Sequence, residues 1–291
     1  MAAWDEVADV EREIFSMLPV RTWRWLGVNE SYLPEELQTP PVPVHKTHID
    51  VPAGQKVTRV IANRTERQTE ITARVAEGGT LQLVQLQMLP PDKAGTCSVT
   101  VRAEKDARIY YTAAEIGASH VLAQVKIELA GDGSQADVAA LYFGDGARAI
   151  DLNYIIVQEG NKTEASMQVK GALQDSAVKI FRGTLDFKAG SKGSAGREKE
   201  EVVLLNEGIR NRSVPLMLSA EEDVNGQHAV SAGRLDKSRL FYLMSRGLDE
   251  KEARKLAVGA LFATVLERVP DADLREEISR EVEERIEHGQ R

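Results

Sequence analysis

A mainly β chain, wound as a stacked solenoid and flanked by helical segments, is the fold class this sequence predicts. Three observations carry the expectation. Short runs of alternating apolar and polar residues fill the stretch from about His45 to about Leu218, and period-two alternation marks half-buried strands. Helical patterns and interior prolines are nearly absent from the same stretch. Small or acidic turns recur at Gly54, Gly79, Asp106 and Gly133, spaced by 25, 27 and 27 residues. A period in the twenties with several short strands per repeat fits coils that bury one face on the next. A β-sandwich, which places turns roughly every 8–12 residues, is the alternative these patterns leave open.

From the N-terminus, Val7, Val10, Ile14 and Leu18 recur at helical spacing and Pro19 stops the pattern. This predicts a short helix. A basic, aromatic connector follows at Arg21-Thr22-Trp23-Arg24-Trp25-Leu26, and four prolines in 33–43 point to an extended linker. Residues 1–44 thus form the first unit. Residues 45–235 form the β core, with strands expected at Val57-Thr58-Arg59-Val60-Ile61, Leu81-Gln82-Leu83-Val84-Gln85-Leu86, Ser98-Val99-Thr100-Val101-Arg102 and Val121-Leu122-Ala123-Gln124-Val125-Lys126-Ile127. Later turns, at Asp175-Ser176 and Glu207-Gly208, fall at wider intervals.

Residues 236–291 read as helical. Asp236 is placed to cap a helix carrying Leu240, Phe241, Leu243 and Met244, and Gly247 to end it. Asp249 with Glu252 has capping-box spacing for the next helix, whose expected apolar face is Ala253, Leu256, Ala257, Ala260, Leu261 and Thr264. Beyond Pro270 a last helix is striped by Leu274, Ile278, Val282 and Ile286, with an acidic far face.

Composition excludes several classes. A net charge of -8 argues against nucleic-acid binding. No segment has the roughly 20 apolar residues that a membrane span needs, and the start lacks the pattern of a secretory signal. These features predict a soluble, cytoplasmic protein. One cysteine, Cys97, rules out an internal disulfide framework and a cysteine-cluster zinc site. It shares strand parity with Val99, Val101 and Ala103, which predicts a buried structural thiol. His45 and His48 fall on opposite faces of an extended segment and do not make a metal site alone. His120 is expected at a solvated strand start. No phosphate-binding Gly-x-x-x-x-Gly-Lys-Ser/Thr loop is present.

The segment Glu221-Glu222-Asp223-Val224-Asn225-Gly226-Gln227-His228-Ala229-Val230-Ser231-Ala232-Gly233-Arg234-Leu235-Asp236 resembles the hallmark of the SufB/SufD core domain: an acidic pair, a short polar stretch, His, small residues, then Gly-x-Leu-Asp. It runs into Leu240-Phe241-Tyr242-Leu243-Met244-Ser245-Arg246-Gly247-Leu248 and Glu252-Ala253-Arg254, similar to the family's following helices. Upstream, Lys170-Gly171-Ala172-Leu173, Phe181-Arg182-Gly183, Leu204-Leu205-Asn206-Glu207-Gly208 and Ala130-Gly131-Asp132-Gly133-Ser134 with Leu141-Tyr142 resemble further family coils. The resemblance covers roughly residues 120–269 well and 45–120 weakly. It implies a right-handed parallel β-helix with flanking helices.

The resemblance also implies a function: a non-catalytic scaffold of the Suf iron–sulfur cluster assembly system. Such a scaffold docks a SufC-type ABC ATPase through its C-terminal helices and pairs with a SufB/SufD-like subunit or with itself. On this reading no cofactor is tightly bound, and a transient iron–sulfur cluster forms at the subunit interface. His228 matches the family's motif histidine and is the candidate cluster or metal ligand, with Asp223 or Glu222 acting nearby. Leu240, Phe241, Tyr242 and Arg246 are the candidate docking residues; Tyr242 and Arg246 are favoured for docking, and Phe241 and Leu243 for the core. Gly226 stands where family members often carry a cysteine, so the thiolate has to come from a partner, or direct ligation has been lost. Two alternatives remain: a β-helical enzyme acting on polysaccharide, and a degenerate family member serving only as an interaction protein.

Overall fold

The computed structural model describes residues 13–22, 24–235 and 237–289. The chain enters through β1 (Ile14–Met17), a 3-10 turn (Arg24–Leu26), β2 (Glu30–Tyr32) and α1 (Glu35–Gln38). Fourteen strands then alternate between two sheets: β3 (Val44–Val51), β4 (Lys56–Asn63), β5 (Gln68–Val75), β6 (Thr80–Gln87), β7 (Ala94–Ala103), β8 (Arg108–Glu115), β9 (His120–Leu129), β10 (Gln135–Gly144), β11 (Ala149–Gln158), β12 (Glu164–Leu173), β13 (Val178–Phe187), β14 (Ser194–Leu204), β15 (Arg210–Ser219) and β16 (Val224–Arg234). Helices α2 (Lys237–Ser245), α3 (Glu250–Leu266) and α4 (Ala272–His288) follow.

Odd strands from β3 to β15 form one parallel seven-stranded sheet, and even strands from β4 to β16 form the other. Each strand pairs with the strand one coil later, not with its sequence neighbour, so the fold is the solenoid and not the sandwich. Unbroken register builds columns of like-facing side chains. One interior column runs Thr69, Cys97, Ala123, Leu152, Phe181 and Ser213. Another runs Arg59, Leu83, Tyr111, Val138, Met167, Glu198 and His228. The middles of these columns are apolar, and the one thiol lies among them: Cys97 is buried, and burial pushes it up to about 12.

The corners explain the repeat. Gly54, Gly78, Asp106, Gly133, Lys162 and Gly193 adopt left-handed backbone angles at one corner. The N–H of each donates to a carbonyl of the next coil, on Glu77, Lys105, Asp132, Asn161, Lys192 and Asp223 respectively, at 2.7 to 2.9 Å. A turn that aims an N–H along the stack selects Gly, or a polar residue that tolerates this conformation. Asp175 and Gly208, with Ala118 and Gly146, are left-handed at the opposite corner. The step from Gly133 to Asp175 passes from one corner to the other, whereas Lys162 to Gly193 (31 residues) and Asp175 to Gly208 (33 residues) each stay at one corner, so the later coils are themselves longer.

Outside the solenoid, α3 and α4 pack on the outer face of the even sheet. Val258, Phe262, Val265, Val269, Ile278, Val282 and Ile286 join Val84, Leu86, Leu141 and Phe143 in a second core. Arg285 clamps α4 to the corner, with Nε 2.9 Å and Nη2 2.5 Å from the Asp145 carboxylate and its guanidinium 4.7 Å from the Phe143 ring centre. The expected capping box is present: Glu252 N–H donates to Asp249 and Asp249 N–H to Glu252, both at 2.8 Å. Gly247 is left-handed where the second helix ends. The expected cap Asp236 lies outside the described residues.

Four expectations are corrected. Ile14–Met17 form a strand, not the end of a helix, because they pair with Glu30–Tyr32 and bury Ser16 against Ser31 (2.7 Å); Val7 and Val10 lie outside the described residues. The short N-terminal helix is α1, inside the stretch read as an extended linker. On α3 the buried positions are Ala253, Val258, Phe262 and Val265, while Leu256 (51% exposed), Ala260 and Thr264 face outward. That helix is apolar around much of its circumference, so spacing alone chose the wrong stripe. His120 is half-buried, not solvated, and burial lowers its imidazolium to about 4.

Candidate functional site

Both sheets end at the same place. β15 and β16 are the last strands of their sheets, and among the described residues no strand pairs with their outer edges. Burial falls accordingly: β15 is mostly half-buried and β16 mostly exposed. Such an edge presents unpaired N–H and C=O groups and invites a further chain.

His228 lies on this edge strand. Its parity is that of the interior column, so it caps the column instead of pointing away from the rod. Its direct partner in register is Glu198. Asp223 and Glu222 are not brought beside it. Both are exposed in the corner before β16, where the Asp223 carbonyl accepts the Gly193 N–H at 2.7 Å. Five residues of extended strand separate Asp223 from His228, about 16 Å at the usual rise. The acidic side chain that organises this corner is Glu221, whose carboxylate accepts from Gly190 N and Glu222 N, both at 3.1 Å.

Gly226 also faces inward. A Cβ there would run into Met217 Sδ, so the methionine fills the space that a longer side chain would need. Among the described residues no group of three or more His, Cys, Asp or Glu is arranged to hold a metal ion. With Cys97 buried and protonated, the chain brings an imidazole to the open end and no thiolate.

Beneath the edge lies a polar interior that the sequence reading missed. Glu198 and Glu200 both point inward from β14 and are 3% and 0% exposed. Glu200 Oε1 accepts from Lys179 Nζ at 2.5 Å and from the Tyr142 hydroxyl at 2.9 Å, and Lys179 also donates to Ser213 Oγ at 3.0 Å. The Tyr142 ring reaches Glu200 because it lies over Gly171, where any Cβ would strike the ring. Burial pushes the Lys179 ammonium down, opposed by the Glu200 carboxylate. Burial, and then Glu200, push Glu198 up to about 8. The signal was present in Gly196-Arg197-Glu198-Lys199-Glu200-Glu201-Val202: Glu198 and Glu200 share the parity of the buried Gly196 and Val202.

Of the candidate docking residues, Phe241 and Tyr242 on α2 are 74% and 61% exposed, Arg246 is exposed and Leu240 is half-buried. Phe241 is therefore not a core residue. Phe241, Tyr242 and Met244 of α2, the helix that follows β16, and Leu256 of α3 are large apolar or aromatic side chains left exposed. No described helix is long and apolar enough to cross a membrane.

Comparison with known proteins places these features. The family described as SUF system FeS cluster assembly, SufBD core domain, matches residues 38–261. An iron-sulfur cluster assembly protein SufD of Bacillus subtilis (strain 168) is 27% identical over 182 residues, covering 62% of this chain and 42% of that protein. An iron-sulfur cluster assembly SufBD family protein of Mycobacterium tuberculosis (strain ATCC 25618 / H37Rv) is 28% identical over 194 residues, covering 64% of this chain and 49% of that protein. A SufBD family protein of Mycobacterium leprae (strain TN) is 27% identical over 190 residues, covering 62% and 48%. The chain thus spans about half the length of the curated relatives it matches. The core match takes in both sheets and the edge strand that carries His228, and on that ground the chain belongs to the SufBD family of Suf-system iron–sulfur cluster assembly proteins.

Proposed function

We propose that the chain is a non-catalytic scaffold subunit of a cytoplasmic Suf complex. Its open solenoid end pairs with a SufB/SufD-like subunit or a second copy, and α2 docks a SufC-type ATPase. The observation that carries this reading is the position of His228: the motif histidine caps an interior column on an exposed, unpaired edge strand. There it faces whatever seats on that edge. Iron and sulfide are cargo at this interface. The imidazole supplies one nitrogen donor, and the partner supplies the thiolate ligands that iron–sulfur clusters usually take.

ATP-driven work is assigned to the partner, and the exposed aromatic patch on α2 is the surface to receive it, since Phe, Tyr and Arg are enriched where protein surfaces meet. Glu198 and Glu200 do not suit a polysaccharide-cleaving role: such enzymes present a carboxylate pair to sugar on an accessible face, whereas these two are enclosed in the core.

The test is co-expression with the Suf ATPase and affinity capture of the complex. The Phe241→Ala/Tyr242→Ala variant is expected to weaken capture by at least tenfold, the scale of lost interface anchors, while its melting curve matches that of the unaltered chain. Undiminished capture would refute the docking assignment.

A further inference from the structure

We propose that Glu198 is the positioning residue for His228: it takes up the inner ring N–H of the imidazole, so that the other nitrogen faces outward across the open end. The inference rests on the proposed role of His228 and deepens it.

Four observations support the pairing. Glu198 and His228 are direct partners in register between β14 and β16 and share the inward face, which sets them one strand spacing apart, about 4.8 Å. Both Glu198 carboxyl oxygens lack a hydrogen-bond partner among the described residues, His228 included, although the side chain is 3% exposed; a buried polar group in that state is costly, and a turn of the His228 ring toward the acid would satisfy it. Glu200, the neighbouring acid, is engaged through Oε1 by Lys179 and Tyr142 and leaves only Oε2 unpartnered, whereas neither Glu198 oxygen is engaged. The residues flanking His228 on the same face, Gly226 and Val230, offer no side-chain hydrogen bond, and Met167 lies below Glu198 in the column.

The fold makes room for the acid. Across the interior, Gly183 of β13 sits where any Cβ would strike Glu198 Oε1. An imidazole that binds a metal through one nitrogen ordinarily donates its other N–H to a carboxylate or carbonyl, which fixes both tautomer and ring direction. Glu198 meets that requirement from one coil deeper, without itself reaching the cargo.

The experiment is 15N NMR of the histidine ring nitrogens in the full-length chain, at a pH where the ring is neutral. Only five histidines are present, and His228→Ala assigns the relevant signals. One dominant His228 tautomer is expected in the unaltered chain. Glu198→Leu is expected to return the ring to an averaged mixture, and Glu198→Gln, which keeps an acceptor oxygen, to restore the bias. If the Leu variant does not fold, Gly183→Ala displaces the same carboxyl from the opposite strand and is expected to give the same averaging. A His228 ring already averaged in the unaltered chain, or unmoved by these changes, overturns the proposal. Capture of the ATPase and pairing subunit does not depend on tautomer, so loss of capture with the bias intact would sink the scaffold reading alone.

Discussion

Lys179→Met is expected to destabilise the protein by about 3–5 kcal/mol, the usual consequence of removing one partner from a buried ion pair. Lys179 and Glu200 are both fully enclosed. Without the ammonium, Glu200 keeps only the Tyr142 hydroxyl, and its charge is left in a low-dielectric core. The double variant Lys179→Met/Glu200→Leu is expected to regain most of that loss, because exchanging a whole buried pair for apolar side chains is often neutral or favourable. Urea denaturation of the two single variants and the double variant gives the coupling directly. A single variant within about 0.5 kcal/mol of the unaltered protein would show that the pair is not enclosed as described.

Glu115→Gln is expected to stabilise the protein increasingly as pH rises. Glu115 points into the interior near Gln85, and burial raises its carboxyl to about 8, partly offset by the Gln85 amide. In the unfolded chain the same group titrates near 4.5. Below that value both states hold the proton and the group adds no pH dependence. Between 4.5 and 8 the unfolded chain releases a proton that the folded chain retains, so folding loses up to about 1.4 kcal/mol per pH unit. Above 8 both states are ionised and the loss levels off. Glutamine cannot ionise, so the melting temperature of the variant should pull ahead of the unaltered protein across that window and run parallel above it. A difference that does not change with pH would contradict the burial of this acid.

How much of this was legible in the sequence depended on the range of the interaction concerned. Alternation reports a residue's own face, so the strands and the buried parity of Cys97 could be read locally. The corner residues Gly54, Asp106 and Gly133 could be read because their turn imposes a backbone requirement that few residues meet; at the second corner of this series the left-handed residue is Gly78, one before the glycine chosen. β1 was misread because its pairing with β2 is settled by tertiary contact, and Ile14 and Leu18 fit a helix as well as a strand. On α3 several apolar stripes compete, and only the even sheet beneath it selects Val258 and Phe262. His228 was singled out by motif, yet its neighbour proved to be Glu198, thirty residues earlier, and not Asp223 five residues earlier. A parallel solenoid sets positions one coil apart side by side, and register of that kind leaves no mark within a local window. Charge hides the buried acids: a carboxylate is rarely buried without a partner, so nothing local marks Glu198 and Glu200 as interior, and Lys179, the partner of Glu200, lies on the opposite sheet.

The proposed pairing at the open end of the solenoid is tested by amide hydrogen exchange on β16 (Val224–Arg234), measured on the free chain and on the complex assembled with the proposed Suf partners. Rapid exchange at the outer edge of β16 in the free chain and strong protection in the complex is the predicted result. Exchange on that strand unchanged by assembly would rule out pairing at this end.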